Sequence, residues 1–361
     1  MNDAQQSIIA YCRPGYEVDT GNELTELATQ KALYGYPVFK AGEGYIRFQF
    51  HVPEHAEQFI NEVAVSDTIF PRQMFLVLAS IAIEDKSDRI GPVLNALAQS
   101  DISRCGSLFV DYPDTEDGKA LAKLCRKFAV PLRQALRAKE LLTRKEQLNL
   151  AALHVFFTSG EACYVGVSQA KMRSPFENGI CRLKFPPKAP SRSTLKLEEA
   201  LLTMLSARQR EAICRAGARA VDLGACPGGW TYQLVSRDMH VEAVDNGKMA
   251  DDLMATGLVD YRAEDGFKYR PQMGHVELLV CDMIEKPDRV AVLMANWLTR
   301  NWATHAIFNL KLPMKRRYET VRAAIEAVGS QLASANINAS MVIRHLYHNR
   351  DEVTVAVIRK N

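Results

Sequence analysis

The sequence predicts an α/β protein in which a mainly parallel, doubly wound sheet over residues 193–361 follows an α+β region. Two observations lead there. From about residue 194 apolar strand-like runs alternate strictly with helix-period segments, which calls for helices on both faces of a parallel sheet. Before residue 170 the chain reads as two shorter strand–helix units, the second ending in a hairpin. The expected division is 1–65 and 66–170 for the two α+β units, 171–192 for a linker, and 193–361 for the α/β domain.

In chain order, SIIAYC (7–12) is an apolar strand. TGNELTELATQKALY (20–34) has helical spacing, with Thr20 placed as an N-cap and Glu23 three residues on. GYIRFQF (44–50) alternates as a half-buried strand, and PEHAEQFINEVA (53–64) returns to helical spacing. The second unit reads as strand MFLVLASIAI, helix RIGPVLNALAQ, strand SLFVDYP, a basic helical stretch at 117–128, and a hairpin at 154–168 turning on Ser159-Gly160-Glu161. Residues 172–192 hold four prolines and little periodicity, as a linker does.

The α/β domain begins with helix LKLEEALLTML, strand ARAVDLG and helix GGWTYQLVSRD. Strands HVEAVD, VDYRAED and HVELLVCDM follow, then a helix around 288–299, strand HAIFNLKLP and helix RRYETVRAAIEAVGSQL. Strands ASMVIRHL and EVTVAVIR close the chain.

Composition bounds the function. No apolar run is long enough to span a bilayer, and MNDAQQSIIAYCRPGYE has no basic region followed by an apolar stretch, so a cytoplasmic protein without membrane attachment is expected. The eight cysteines are scattered outside metal-ligand spacing, so reduced thiols and no metal are expected. The net charge of +3 hides a strong division. Residues 1–70 hold four Lys/Arg against ten Asp/Glu, residues 119–145 nine basic residues against one acid, and residues 171–196 seven against one. Two concentrated basic segments suit a polyanion such as nucleic acid.

VDLGACPGGWTYQLV (221–235) joins a strand to a helix through a Gly/Pro-dense turn, where a backbone comes close to a ligand. GACPGG lacks the Lys-Ser/Thr of a phosphate loop, and Asp222 would repel phosphates. The spacing Gly224-x-x-x-Gly228-Gly229 is not G-x-G-x-x-G, although Asp245 lies where a ribose-binding acid belongs. A ligand with ribose hydroxyls and no pyrophosphate satisfies these observations, and S-adenosylmethionine is that ligand. Asp245 is expected to accept from both ribose hydroxyls and Asp265 from the adenine amine. The amides around Cys226, Pro227, Gly228 and Gly229 are expected to hold the methionine carboxylate, and Asp282 to stand near the methyl group. A single acid at a strand end is more often a helix cap or a loop salt bridge. Four of them (222, 245, 265 and 282) with the glycine turn favour the cofactor.

VDLGACPGGW, the upstream SRSTLKL, CDM, NLKLP and RDEVTVAV together resemble the FtsJ-like ribose 2′-O-methyltransferases over roughly 190–361. The resemblance implies a Rossmann-like S-adenosylmethionine-dependent domain with a Lys-Asp-Lys-Glu tetrad at Lys196, Asp282, Lys311 and Glu352, and Ser193 as a cofactor contact. The N-terminal half resembles a ferredoxin-like piece followed by a THUMP domain, an RNA-binding module. The whole chain is similar to the RlmM family, which implies methyl transfer to a cytidine ribose of 23S ribosomal RNA, on naked or early-assembly RNA, by a monomer. In that reading Lys311 is the base, Lys196 supplies a second positive charge, and Asp282 and Glu352 orient the amines. A neighbouring cation and partial burial are expected to depress the pKa of Lys311. Lys315-Arg316-Arg317 are expected to hold RNA phosphates. Three alternatives stay open: a ribose methyltransferase for another RNA such as tRNA, a non-catalytic RNA-binding assembly factor, and a nicotinamide-dependent oxidoreductase.

Overall fold

Residues 7–168 build one seven-stranded sheet. The computed structural model describes residues 6–360, which divide into two units between Ile180 and Cys181. In the first unit β1 (Ser7–Tyr11), α1 (Glu17–Gln30), β2 (Gly35–Val38), β3 (Tyr45–Phe50), α2 (Pro53–Glu62) and β4 (Gln73–Ala82) follow one another. Their strand order β2-β3-β1-β4, all antiparallel, is the ferredoxin-like arrangement. β4, read from the sequence as the start of a second unit, is therefore the fourth strand of the first.

The sheet continues through β4 into the hairpin β6 (Ala152–Ser159) and β7 (Ala162–Ser168), and ends at β5 (Ser107–Asp111) in the order β4-β7-β6-β5. Helices α3 (Ile90–Ala98), α4 (Glu116–Ala120) and α5 (Ala122–Ala138) accompany this half. α5 is longer than the stretch expected at 117–128. It buries Cys125, Phe128, Leu132 and Leu136, and its other face exposes Lys123, Arg126, Lys127 and Arg137. The basic segment is thus the wet side of an amphipathic helix.

The N-terminus of α1 differs from the expected one. The helix starts at Glu17, where Gly15 turns the chain at φ +87° and the Glu17 carboxylate accepts from Gly15 N and, at 2.8 Å, from Gly44 N. Thr20 is therefore not a cap. It lies buried inside the helix, donating its hydroxyl to Tyr16 O at 2.8 Å, and the Glu23 carboxylate accepts from Phe70 N at 2.9 Å. Among the described acids of residues 1–70, Glu17, Asp19 and Glu23 are buried, so the surface there is less acidic than the count.

Within 171–180 the chain is held to the first unit by side-chain bonds. Arg173 donates to Leu148 O and Leu150 O, Ser174 N donates to the Gln73 side chain, and Asn178 N donates to Asp111.

In the second unit α6 (Thr194–Thr203) and α7 (Ala207–Ile213) precede β8 (Arg219–Leu223), α8 (Gly229–Val235), β9 (His240–Val244), α9 (Asp251–Met254) and β10 (Val259–Arg262). The chain continues through β11 (Val276–Cys281), α10 (Pro287–Thr299), β12 (Ala303–Lys311), α11 (Arg317–Ser334), β13 (Ala339–Arg344) and β14 (Glu352–Arg359). The strand order is β10-β9-β8-β11-β12-β14-β13. Pairing is parallel from β10 to β12, and β14 lies antiparallel between β12 and β13. The order reverses between β8 and β11, the switch point where a doubly wound sheet opens a crevice at its carboxyl edge.

Candidate active site

The carboxyl edge of this sheet carries the tetrad. Asp282 directly follows β11, and Lys311 ends β12, the next strand. β14 runs the other way, so its first residue, Glu352, reaches the same edge and pairs in register with Lys311. Lys196 comes from the first turn of α6, which Gln233 of α8 holds through a 2.8 Å bond to Thr194 Oγ1. Lys196 Nζ lies 3.1 Å from Asp282 Oδ2 and 2.5 Å from Glu352 Oε1. Lys311 Nζ lies 3.2 Å from Asp282 Oδ1 and is also paired with Glu352 Oε2. The structure brings all four together as a largely buried square of two ammoniums and two carboxylates.

Its electrostatics correct one expectation. Burial, the largest single influence on Lys311, does lower its pKa, but the carboxylates of Asp282 and Glu352 together outweigh burial and hold it above the ordinary lysine value. Lys311 therefore rests as an ammonium and accepts a proton only after losing its own. Raising the pH should increase the rate of any step using Lys311 as base, along a limb set by its raised pKa. Glu352→Gln removes one of the two raising charges and should move that limb to lower pH in single-turnover rate profiles. A limb that stays in place would mean that another group titrates.

Behind the tetrad lies a layer of polar residues with no role expected from the sequence, although Asn309 and Thr354 fall within NLKLP and RDEVTVAV. Asn309 Nδ2 donates to Asp282 Oδ1 at 2.8 Å, Thr354 Oγ1 to Asn309 Oδ1 at 2.7 Å, and Asn349 Nδ2 to Thr354 Oγ1 at 3.0 Å. Glu199, one helical turn after Lys196, accepts from Tyr347 N, His348 N and His348 Nδ1 at 2.7–2.9 Å. The segment before Glu352 is thereby tied to the helix that carries Lys196. Asn309, Thr354, Asn349 and Glu199 are all buried, which makes each unmet bond costly. Glu199→Ala should lower stability by about 1–3 kcal/mol and the rate of the tetrad's reaction about tenfold, with substrate affinity unchanged. Thermal unfolding and single-turnover assays check this, and an unchanged rate would confine Glu199 to folding. The signal available in the sequence was the placement of Glu199 three residues after a tetrad lysine.

The glycine turn sits at the end of β8, next to the switch point. Gly228 has φ +114°, which a side-chain-bearing residue rarely adopts, and a Cβ on Gly229 would stand 2.0 Å from Ser193 Oγ. Ser193 is in turn 2.7 Å from Ser191 Oγ, so the arm before α6 lies directly on the turn. Asp245, at the end of β9, accepts from Cys226 N at 2.8 Å and from Asn246 N at 2.6 Å. The Cys226 amide is thus taken by Asp245 and Pro227 has none, so the amides of Gly228 and Gly229 are the ones left for a ligand carboxylate. Asp265 is exposed and accepts from Phe267 N at 2.9 Å. Asp222, counted above with the strand-end acids, is different. It lies wholly buried within β8, bonded to Thr231 Oγ1 of α8 at 2.7 Å, and burial pushes its pKa up to about 7. It braces α8 against the sheet.

Comparison with known families follows the same division. Residues 5–75 match the RlmM ferredoxin-like domain, 88–169 the N-terminal domain of ribosomal RNA large subunit methyltransferase M, and 189–317 the FtsJ-like methyltransferase domain. Glu352 lies beyond the last match, and its place in the tetrad rests on the β12–β14 register. The chain is 57% identical to ribosomal RNA large subunit methyltransferase M of Alteromonas mediterranea, over 98% of this chain and 97% of that protein. It is 48% identical to the protein of that name from Photorhabdus sp. (98% and 96% covered), and 46% identical to the one from Aliivibrio fischeri (96% and 97% covered). With similarity of this extent along nearly its whole length, the chain belongs to the ribosomal RNA large subunit methyltransferase M family.

Proposed function

We propose that the protein transfers a methyl group from S-adenosylmethionine to a ribose 2′-hydroxyl of ribosomal RNA, specifically a cytidine of 23S RNA. The observation that carries this reading is the Lys196–Asp282–Lys311–Glu352 cluster at the switch-point edge of a methyltransferase sheet. A base methyltransferase has no need of two lysines held by two carboxylates. An alcohol nucleophile does, because its proton must leave as the carbon–oxygen bond forms.

The residues of the turn fit the donor. Its bare backbone at Gly228 and Gly229 suits a carboxylate, with Cys226 and Pro227 shaping the loop and Ser193 lying against it. Asp245 and Asp265 offer carboxylates for ribose hydroxyls and an exocyclic amine. S-adenosylmethionine supplies the methyl as an electrophile on a sulfonium that leaves as a neutral thioether. Lys311, once deprotonated, takes the 2′-hydroxyl proton, and the Lys196 ammonium steadies the oxygen as it gains charge. Asp282 and Glu352 orient both amines, and holding the 2′-oxygen in line with the methyl group is worth on the order of 7–11 kcal/mol in well-oriented systems.

All four tetrad residues come from one chain, so the proposed chemistry needs no residue from a second copy and a monomer suffices for it. The exposed basic face of α5 and the exposed Lys171, Arg182, Lys184, Lys188 and Arg192 of segment 171–196 support contact with accessible RNA phosphates, as in naked or early-assembly RNA. Among the described residues no helix is long and apolar enough to cross a membrane. A ribosomal RNA substrate supports a cytoplasmic location. Lys315 and Arg316 are exposed just past Lys311. Lys315→Glu with Arg316→Glu should weaken RNA binding and reduce the slope of log affinity against log salt by about two. A filter-binding salt series with an unchanged slope would remove them from the RNA interface. The reading as a whole is tested by incubating the protein with labelled donor and ribosomal RNA, or with assembled subunits, and mapping the modified atom.

A further inference from the structure

Two side chains at the edge that carries the tetrad have no protein cover. Ile284 is 90% and Met314 91% exposed, while no other large apolar side chain among the described residues exceeds 61%. Ile284 lies two residues after Asp282, in the loop that leaves β11. Met314 lies three residues after Lys311, in the segment that leaves β12. The two strands are parallel, hydrogen-bonded neighbours, so both loops rise from one edge of the sheet. Leu312 N donates to Asp351 O at 2.8 Å, which fixes the base of the second segment beside Glu352. Arg316 holds φ +58°, a left-handed conformation that a non-glycine residue adopts at a cost and that recurs at functional segments.

We propose that Ile284 and Met314 form an apolar wedge that takes the faces of RNA bases at the target site and holds the target nucleoside out of its stack. The inference rests on the ribose 2′-O reading above. The base of a nucleotide hangs from C1′, next to the carbon that bears the reacting hydroxyl. A ribose whose 2′-oxygen meets Lys311 Nζ therefore brings its own base, or a stacked neighbour, to the rim of the tetrad. The rim there offers Ile284 and Met314. Neither side chain has a hydrogen-bonding group of the kind that reads a base edge, and both suit the flat apolar face that unstacking lays bare. Lys315 and Arg316, which follow Met314, are exposed and basic, and on the other loop Lys286 and Arg289 offset Glu285 and Asp288, so the charge beside the pair favours a polyanion as the occupant. Extruding a nucleotide leaves a gap in the stack, and an apolar side chain is the usual filler.

The test uses the full chain and an RNA fragment carrying the mapped target, with 2-aminopurine at the neighbouring position. Binding of the unaltered protein should raise the fluorescence as the neighbour unstacks. Ile284→Ser combined with Met314→Ser should abolish most of that rise and slow single-turnover transfer about 30-fold, with affinities for RNA and donor within about threefold. Ile284→Leu combined with Met314→Leu should retain both the rise and the rate. An undiminished rise and rate in the serine double variant overturns the wedge. So does a defect seen only on assembled particles, which would mark the pair as a contact with ribosomal protein. Failure of the underlying reading is separate and appears in the unaltered protein, as label on a base in place of a ribose.

Discussion

Lys311→Ala is expected to slow methyl transfer about 10³-fold or more while the affinity for S-adenosylmethionine stays within about threefold. A large effect is expected because the proposed mechanism makes Lys311 Nζ, held at the end of β12 between Asp282 and Glu352, the acceptor of the hydroxyl proton. Donor affinity is spared because neither of those contacts involves the glycine turn. Lys311→Arg sharpens the result. A guanidinium keeps the positive charge and does not deprotonate in this range, so a base must fail while a purely electrostatic group survives. Rapid-quench turnover and donor calorimetry on the two variants measure both quantities. Recovery of more than about a tenth of the rate in Lys311→Arg would show that charge, not proton acceptance, is what Lys311 contributes.

Asp282→Ala should be nearly as damaging to the rate and more damaging to the fold. Asp282 accepts from Lys196, Lys311 and Asn309, so its removal leaves two ammoniums facing one carboxylate and a buried amide without its acceptor. Breaking a largely buried ion pair from one side costs about 3–5 kcal/mol, and partial solvent access here reduces that to about 2–4. The rate should fall about 10²–10³-fold. The pH dependence of the stability loss has a definite sign. Lys311 holds its proton more tightly folded than unfolded, so its stabilising contribution is complete below the ordinary lysine range and fades as pH rises through the folded value. The variant should therefore lose most relative to the unaltered protein at neutral pH and least at strongly alkaline pH. Chemical denaturation at several pH values checks this, and a loss independent of pH would place the stabilisation in packing.

The α/β fold and the motifs that hold the four tetrad residues are legible in the sequence, and the parts that are not share physical causes. Strands of the α/β domain announce themselves because buried parallel strands are continuous apolar runs, as in HVELLVC and HAIFNL. Asp282 and Lys311 end such runs. Glu352 lies 41 residues from Lys311 in sequence, and only the antiparallel insertion of β14 explains why it arrives opposite. The net direction of the Lys311 shift was not legible. A sequence shows that cations and acids converge, whereas the balance depends on two carboxylates touching one amine. The roles of Glu199, Asn309, Asn349 and Thr354 were not legible, even with Asn309 and Thr354 inside quoted motifs, because satisfying buried partners is a task any suitably placed polar side chain performs. The start of α1 escaped because Glu17 reaches back to Gly15 and across to Gly44, a bond between segments that local helix-start patterns do not contain.

The most direct measurement of the central claim is the chemical position of the transferred methyl. Ribosomal RNA labelled by the protein with S-adenosylmethionine carrying a radioactive methyl group is hydrolysed in alkali, which spares the linkage after a 2′-O-methylated nucleotide. The tetrad reading predicts that the label is recovered in an alkali-resistant dinucleotide, and that Lys311→Ala leaves none there. Label in a base of an alkali-released mononucleotide, or normal labelling by Lys311→Ala, would contradict it.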